Sequence, residues 1–303
     1  MVGLPREIIR HHVRTYGPLS GLRKWARKAY LRKATQMEGE NVFAREWDLL
    51  VVLDACRPDL LNEVALDFDF LDNCTETTSV GSATAEWMPR TFDGADPDDL
   101  LNTIYVCGNP FSEQFLSEDS FAHLEEVWRW GWNSEQGTAP PRPITDSAID
   151  LARERSFGRM IVHYMQPHVP FLDSEQSPSI DMTNFTGEGE RTLDDWELVE
   201  AGERDLDEVW TDYRRNLEIV LEDIALLQEN VDAEKMIITS DHGNAAGERG
   251  LYGHPGGISI PVLHEVPWCE TTATDRETHE SADYDRSKPD ETTEELLSAL
   301  GYK

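Results

Sequence analysis

The sequence predicts an α/β fold, a three-layer α/β/α sandwich around a mostly parallel central sheet. Three observations predict it. Short apolar runs alternate with stretches of helical periodicity along the chain. The runs are continuously apolar, as strands buried on both faces are. Two of them stop abruptly at acids, Asp54 and Asp241, and in open α/β sheets ligands sit beyond the carboxyl ends of strands.

Strands are expected near 48–54, 103–107, 159–163 and 235–240, and helices near 144–155 and 205–229. Asp48-Leu-Leu-Val-Val-Leu-Asp54 is the first strand, and Ala55-Cys-Arg-Pro-Asp59 turns from it into a helix. The stretch Ser79 to Phe92 begins too small and polar for a core, and reads as a loop entering a helix at Thr84 or Ala85. Residues 174–204, rich in Glu and carrying Gly187 and Gly189, read as an acidic insertion or lid. Residues 270–291, rich in Thr, Asp and Glu, read as a flexible acidic linker before a short helix, Glu294 to Leu300. The chain thus divides into a basic arm over 1–40, a main domain over 41–269, and an acidic linker with a C-terminal helix over 270–303.

Composition sets the surroundings. A chain of 303 residues with 39% hydrophobic content can bury one large core. Six lysines against 59 acidic residues, for a net charge of −32, give a surface like that of a halophilic organism's protein, where carboxylates hold water in strong salt. Such a body argues against nucleic acid as a partner. The charge is uneven: residues 1–33 hold nine Lys or Arg and one Glu, and the rest hold 18 basic and 58 acidic residues. In the arm, Ile8, Ile9 and Val13, then Leu22, Trp25, Ala26, Ala29 and Tyr30 recur at helical spacing among bases. It fits a peripheral membrane contact through residues 1–33, or a segment lying across the chain's own acidic surface. No run of about 18 apolar residues is present and no secretion signal is recognised. The expected location is cytoplasmic, with the inner membrane surface as the place of any contact. Cys56, Cys74, Cys107 and Cys269 show no paired metal spacing and read as mostly buried thiols, without a disulfide framework.

The candidate chemistry gathers at strand ends. Lys235-Met-Ile-Ile-Thr-Ser-Asp-His-Gly243 is a buried strand closed by an Asp-His pair, and a second histidine returns at His254. A carboxylate beside an imidazole suits zinc or manganese, whereas calcium prefers oxygen alone. Asp54 is the second candidate ligand, or else the N-cap of a β-to-α turn. His163 and His168 lie in Val162-His-Tyr-Met-Gln-Pro-His-Val-Pro-Phe171. His163 could equally be a satisfied core histidine, and His168 a turn cap. Arg57 and Arg90 could contact an anion, or pair with this chain's many acids.

These motifs resemble the alkaline phosphatase superfamily, in its sulfatase-like and phosphoethanolamine-transferase-like branch. The transferases' loop Ser-Cys-Gly-Thr-x-Thr-Ala-x-Ser-x-Pro-Cys-Met-Phe, whose second threonine is the nucleophile, falls with that threonine on Thr84. Gly81, Ala85, Pro89 and Phe92 match, and Val80 and Arg90 stand where that loop has cysteines. The stretch Ser-Asp-His-Gly-x-x-x-Gly-Glu-x-Gly-x-Tyr-x-His-Gly falls on Ser240, Asp241, His242, Gly243, Gly247, Glu248, Gly250, Tyr252 and His254, with Pro255 in place of the last glycine. The segment from Val162 to Phe171 is similar to His-x-x-Gly-x-His-x-Pro-Tyr, without the aspartate that two-zinc members carry nearby. The matches keep the family's order over about residues 48–268.

The resemblance implies an alkaline phosphatase-like fold and a metal-dependent hydrolase or transferase of phosphate esters. Asp54, Asp241 and His242 would hold a divalent ion at Thr84, zinc or manganese before calcium. Thr84 would attack, and His163, His168 and His254 would bind a second ion or serve the oxyanion and the leaving group. Small-molecule, glycan or lipid esters, with cell-surface precursors among them, are the substrates it brings to mind. One alternative is a sulfuric ester hydrolase without formylglycine, since Cys56-Arg-Pro-Asp-Leu60 lacks the arginine of the Cys/Ser-x-Pro-x-Arg signature. Another is a non-catalytic, membrane-docked binding module of the same fold.

Overall fold

A computed structural model describes residues 18–34, 37–174, 193–286 and 292–300. Its strands are β1 (Leu49–Asp54), β2 (Cys74–Thr78), β3 (Thr103–Cys107), β4 (His123–Glu126), β5 (Arg159–Pro167), β6 (Ala233–Ser240), β7 (Ala245–Ala246), β8 (Tyr252–Gly253) and β9 (Glu265–Ala273). The longer helices are α1 (Pro18–Ala34), α2 (Pro58–Val64), α3 (Thr84–Phe92), α4 (Pro141–Glu154), α5 (Asp195–Ala201), α6 (Leu206–Gln228) and α7 (Thr293–Ala299). Seven strands form one sheet in the order β2-β9-β6-β1-β5-β3-β4. From β6 to β4 all neighbours are parallel, and β9 and β2 extend that sheet as an antiparallel edge.

Strand alternation explains the three layers. On β1, Leu49, Val51 and Leu53 face a cluster shared with Ile144 and Ala148 of α4 and with Leu217, Val220, Leu221 and Ile224 of α6. Leu50 and Val52 face the opposite cluster, with Trp87, Met88 and Phe92 of α3 and Leu297 of α7. Both faces are closed to water, so the central strands read as continuous apolar runs. The expected mostly parallel sheet between helical layers is therefore what the chain forms.

The edge was not legible in the same way. β2 is Cys-Thr-Glu-Thr-Thr and only half buried, and β9 carries Glu265, Pro267 and Glu270. Neither has the apolar signature of a central strand. Residues 270–273, expected as linker, complete β9. Beyond them, the described part of that linker lies against α4. The buried carboxylate of Asp146 takes His279 Nε2 at 2.7 Å, Tyr284 Oη at 2.6 Å and the Ala282 amide at 3.1 Å. Of the acidic insertion, residues 175–192 lie outside the described residues, and its end forms α5, opened by a reciprocal capping box between Asp194 and Glu197.

The cysteine expectation is corrected. Cys74 and Cys269 are directly opposed in the antiparallel register of β2 and β9 and form a disulfide. Their separation of 195 residues hid a pairing that the sheet makes immediate. Cys56 and Cys107 are buried free thiols, as expected. Disulfides persist in oxidising surroundings, so cysteine usage lends no support to a cytoplasmic location. No described helix is long and apolar enough to cross a membrane.

Helix α1 lies across the chain's own surface. Leu31 is buried with Leu251, Ile258, Ile260 and Leu263. Lys24 Nζ donates to the Glu200 carbonyl at 3.1 Å, Arg27 Nη1 to the Gly250 carbonyl at 2.6 Å, and Arg32 Nε to the Gly256 carbonyl at 3.0 Å. Gly250 stands at φ +67°, and a Cβ there would also collide with the Arg27 guanidinium. The part of the arm formed by Ile8, Ile9 and Val13 lies outside the described residues.

The disulfide is tested by thiol titration of the denatured chain. Two thiols are expected without reductant and four after reduction; four without reductant in freshly purified protein would show that the edge strands are not bridged.

Candidate active site

The site forms where β1 and β6 end side by side, because their parallel register aligns Leu53 with Ser240 and so places Asp54 next to Asp241. Both carboxylates are fully buried. The turn after Asp54 is sharp, with Ala55 at φ +62°, a conformation that costs a non-glycine residue on the order of 1 kcal/mol or more. That strain has a visible use. It aims the Ala55 amide at Asp241 Oδ1 (3.1 Å) and the Cys56 amide at Ser240 Oγ (2.8 Å). Asp241 Oδ1 also accepts the His242 amide at 2.7 Å, while the Asp241 carbonyl accepts the Ser79 hydroxyl. One carboxylate oxygen is thereby spent on backbone donors, and Oδ2 is left to face the pocket.

Thr84 meets that oxygen. As the first residue of α3 it is buried, and its Oγ1 donates to Asp241 Oδ2 at 2.6 Å. Asp54 Oδ2 and His242 Nε2 each lie 3.4 Å from the same hydroxyl. His242 Nδ1 stands 2.7 Å from the Gly243 carbonyl. A carbonyl only accepts, so Nδ1 carries a proton and Nε2 is the nitrogen that faces the carboxylates. Asp54 Oδ1 and Asp241 Oδ2 lie 3.5 and 3.6 Å from that nitrogen.

The other histidines line the same pocket. His163, from β5, is fully buried, with Tyr105 Oη 2.8 Å from Nδ1 and with Nε2 at 3.8 Å from Asp241 Oδ2. His168 and His254 approach Nε2 to Nε2 at 2.7 Å, and the rings of His254 and His242 lie 4.6 Å apart. His168 Nδ1 also faces a carbonyl, that of Val169, so its Nε2 accepts from His254 Nε2. Burial pushes His163 and His168 down to about 4 and lowers His254 well below the ordinary imidazole value. All three are neutral at pH 7.

Arg57 and Arg90 are engaged elsewhere. Arg57 pairs with Asp59 at 2.6 Å and Glu248 at 2.7 Å and donates to the Asn244 carbonyl at 2.8 Å, tying the β1 turn to the loop after β6. Arg90 donates to the Val80 carbonyl and lies 3.7 Å from Glu86. It closes the segment around Thr84 between the two positions where the resembled loop has cysteines. Asn109 was not anticipated. It is fully buried just past β3 and donates to Asp54 Oδ2 at 2.9 Å. The signal that could have found it is its place, since β3 ends on the same side of the sheet as β1.

The donor set fits a divalent cation. Asp54 Oδ1 and His163 Nε2 are buried without a hydrogen-bond partner. Asp54, His163 and Asp241 present ligand atoms within 4.8 Å of one another. Two carboxylates enclosed together are costly unless a proton or a cation offsets them. Burial first, then the neighbouring Asp241, holds Asp54 well above the ordinary carboxyl range. Oxygen with imidazole nitrogen suits zinc or manganese.

Neither protein-family models nor curated proteins give a match to this chain. Among solved structures it is similar to the soluble domain of lipooligosaccharide phosphoethanolamine transferase A from Neisseria meningitidis, with 13% identity over 87% of this chain and 90% of that one, at a TM-score of 0.49. It is similar to the C-terminal periplasmic domain of phosphoethanolamine transferase EptC from Campylobacter jejuni, with 18% identity over 88% and 92% of the chains and a TM-score of 0.48. It is also similar to a 2-O GAG sulfatase, with 9% identity over 87% and 71% and a TM-score of 0.49. At these identities and TM-scores the likeness says nothing about the reaction.

The metal site is tested by titrating metal-stripped protein with zinc and manganese. The unfolding temperature is expected to rise with ion concentration in the wild type, and to stay flat for Asp241→Ala. Because the ion-free pocket raises the Asp54 carboxyl well above its ordinary range, ion binding below that raised value should release a proton, seen by calorimetry in buffers of different ionisation enthalpy. Affinity should accordingly fall as pH drops through the raised Asp54 value. His163, held near 4, competes for protons only at lower pH.

Proposed function

We propose that this chain is a metal-dependent hydrolase or transferase of phosphate esters, with Thr84 as its nucleophile. The observation that carries the reading is the placement of the Thr84 hydroxyl. It is 2.6 Å from Asp241 Oδ2, within 3.4 Å of Asp54 and His242, and fully buried at a helix N-terminus. A buried threonine in a merely structural role has no need of two carboxylates and an imidazole around its oxygen.

The chain's own groups divide the work. Asp241 Oδ2 accepts the Thr84 proton, and Oγ1 attacks phosphorus as the bond to the leaving oxygen breaks. A divalent ion held by Asp54, Asp241 and His242, with His163 beside them, would lower the hydroxyl's pKa and draw charge from the ester oxygens. The first amides of α3 and the helix dipole favour negative charge at the same place. His254 and His168 hold one proton between their facing nitrogens, and that proton can pass to the departing oxygen. Water or a second alcohol then attacks the phosphothreonine, and the choice between them is the choice between hydrolysis and transfer. Esters of cell-surface glycan or lipid precursors are the substrate class proposed for it.

The test compares aryl phosphate monoesters, phosphate diesters and sulfate esters in strong salt with zinc or manganese. Thr84→Ala should lose at least about a thousandfold in kcat, with its metal-dependent thermal shift retained. Mass spectrometry of the quenched wild type should place phosphate on Thr84. Turnover that survives Thr84→Ala would remove the threonine from the mechanism, and turnover of sulfate esters alone would change the ester class.

A further inference from the structure

Helix α1 has two faces, and among the described residues only one is occupied by the protein. At 3.6 residues per turn, Lys24, Arg27, Leu31 and Arg32 point toward the body, where the contacts described above hold them. Leu22, Ala26, Tyr30 and Lys33 run along the opposite side with Arg23 at their edge, and all five are exposed. Leu22 is 49% and Tyr30 69% exposed, which is much for an apolar and an aromatic side chain on one helical stripe.

Charge indicates what covers that stripe. The helix holds six bases in 17 residues and no acid, on a chain whose net charge is −32. An anionic surface repels the acidic body and attracts this helix. Bases flanking an exposed Leu-Ala-Tyr stripe also match the chemistry of a lipid interface, where the apolar groups enter the headgroup layer and Lys and Arg reach the phosphates. A purely ionic polyanion has no use for the stripe.

We infer that the outer face of α1 is a docking surface for an anionic lipid bilayer. The inner face fixes the orientation, since Arg27 and Arg32 hold carbonyls on either side of His254, at Gly250 and Gly256. Docking through α1 would therefore hold the loop that carries His254 in a fixed orientation behind the helix, about 10 Å from the bilayer. The inference is independent of the reaction, because it needs only the folded chain and a surface.

Co-sedimentation of the full chain with phosphatidylcholine vesicles, with and without phosphatidylglycerol, tests it. Binding is expected only with the anionic lipid, weakening as salt is raised. Leu22→Glu/Tyr30→Glu and Arg23→Glu/Lys33→Glu should each lower the partition coefficient about tenfold or more, while thermal unfolding stays that of the wild type. Equal binding to both vesicles, no binding to either, or indifference to both pairs of substitutions would overturn the inference. So would capture of polyphosphate or DNA lost only on changing Arg23 and Lys33, since the partner would then be a polyanion and not a bilayer.

Discussion

Two carboxylates enclosed at the ends of adjacent strands are the constraint on which the rest of this structure depends. Parallel pairing of β1 with β6 leaves Asp54 and Asp241 no choice but to be neighbours. Neither is exposed, so their mutual repulsion cannot be screened by water. The surrounding chain answers by spending individual carboxylate oxygens. Asp241 Oδ1 goes to two backbone amides and Asp54 Oδ2 to Asn109. The oxygens that remain, Asp54 Oδ1 and Asp241 Oδ2, are those nearest His242, and only Asp241 Oδ2 carries the threonine hydroxyl. Selection of this kind gives a cation or a proton one defined place to act.

Local oddities follow from that selection. The left-handed Ala55 is tolerated because its amide and its carbonyl are both used, the latter by the Tyr213 hydroxyl from α6. Ser240 accepts the Cys56 amide and reaches the carbonyls of Leu53 and His242, riveting the two strand ends. Arg57, a candidate for anion contact from its position alone, bridges the same two elements through Asp59 and Glu248. A guanidinium saturated in this way stabilises the cradle and leaves the charge balance of the pocket to its carboxylates and imidazoles.

What could be read from the sequence was what repeats a short spacing on a rigid frame. Asp54, Asp241 and His242 end apolar runs, and His254 returns soon after, so local pattern singled them out; it left the helix start open between Thr84 and Ala85, and the family resemblance chose Thr84. Asn109 and Tyr105 were missed because each acts through another residue, across strands that only the sheet order brings together. The Cys74–Cys269 bridge and β9 were missed for a related reason. An antiparallel edge strand rich in Glu and Thr earns its place by pairing, and pairing is not a local property.

The arm shows the opposite case, in which pattern was legible and assignment was not. Helical spacing and charge allowed contact with a membrane or with the protein itself, and a sequence read alone treats these as rivals. A helix has more than one face, however. Leu31, Arg27 and Arg32 fix one side of α1 to the loop around His254. The remaining arc is then presented outward in a set orientation. Anchoring on the body does not compete with docking at a surface. Under the docking inferred above, it would turn a basic tether into an element that also sets which way the candidate site faces.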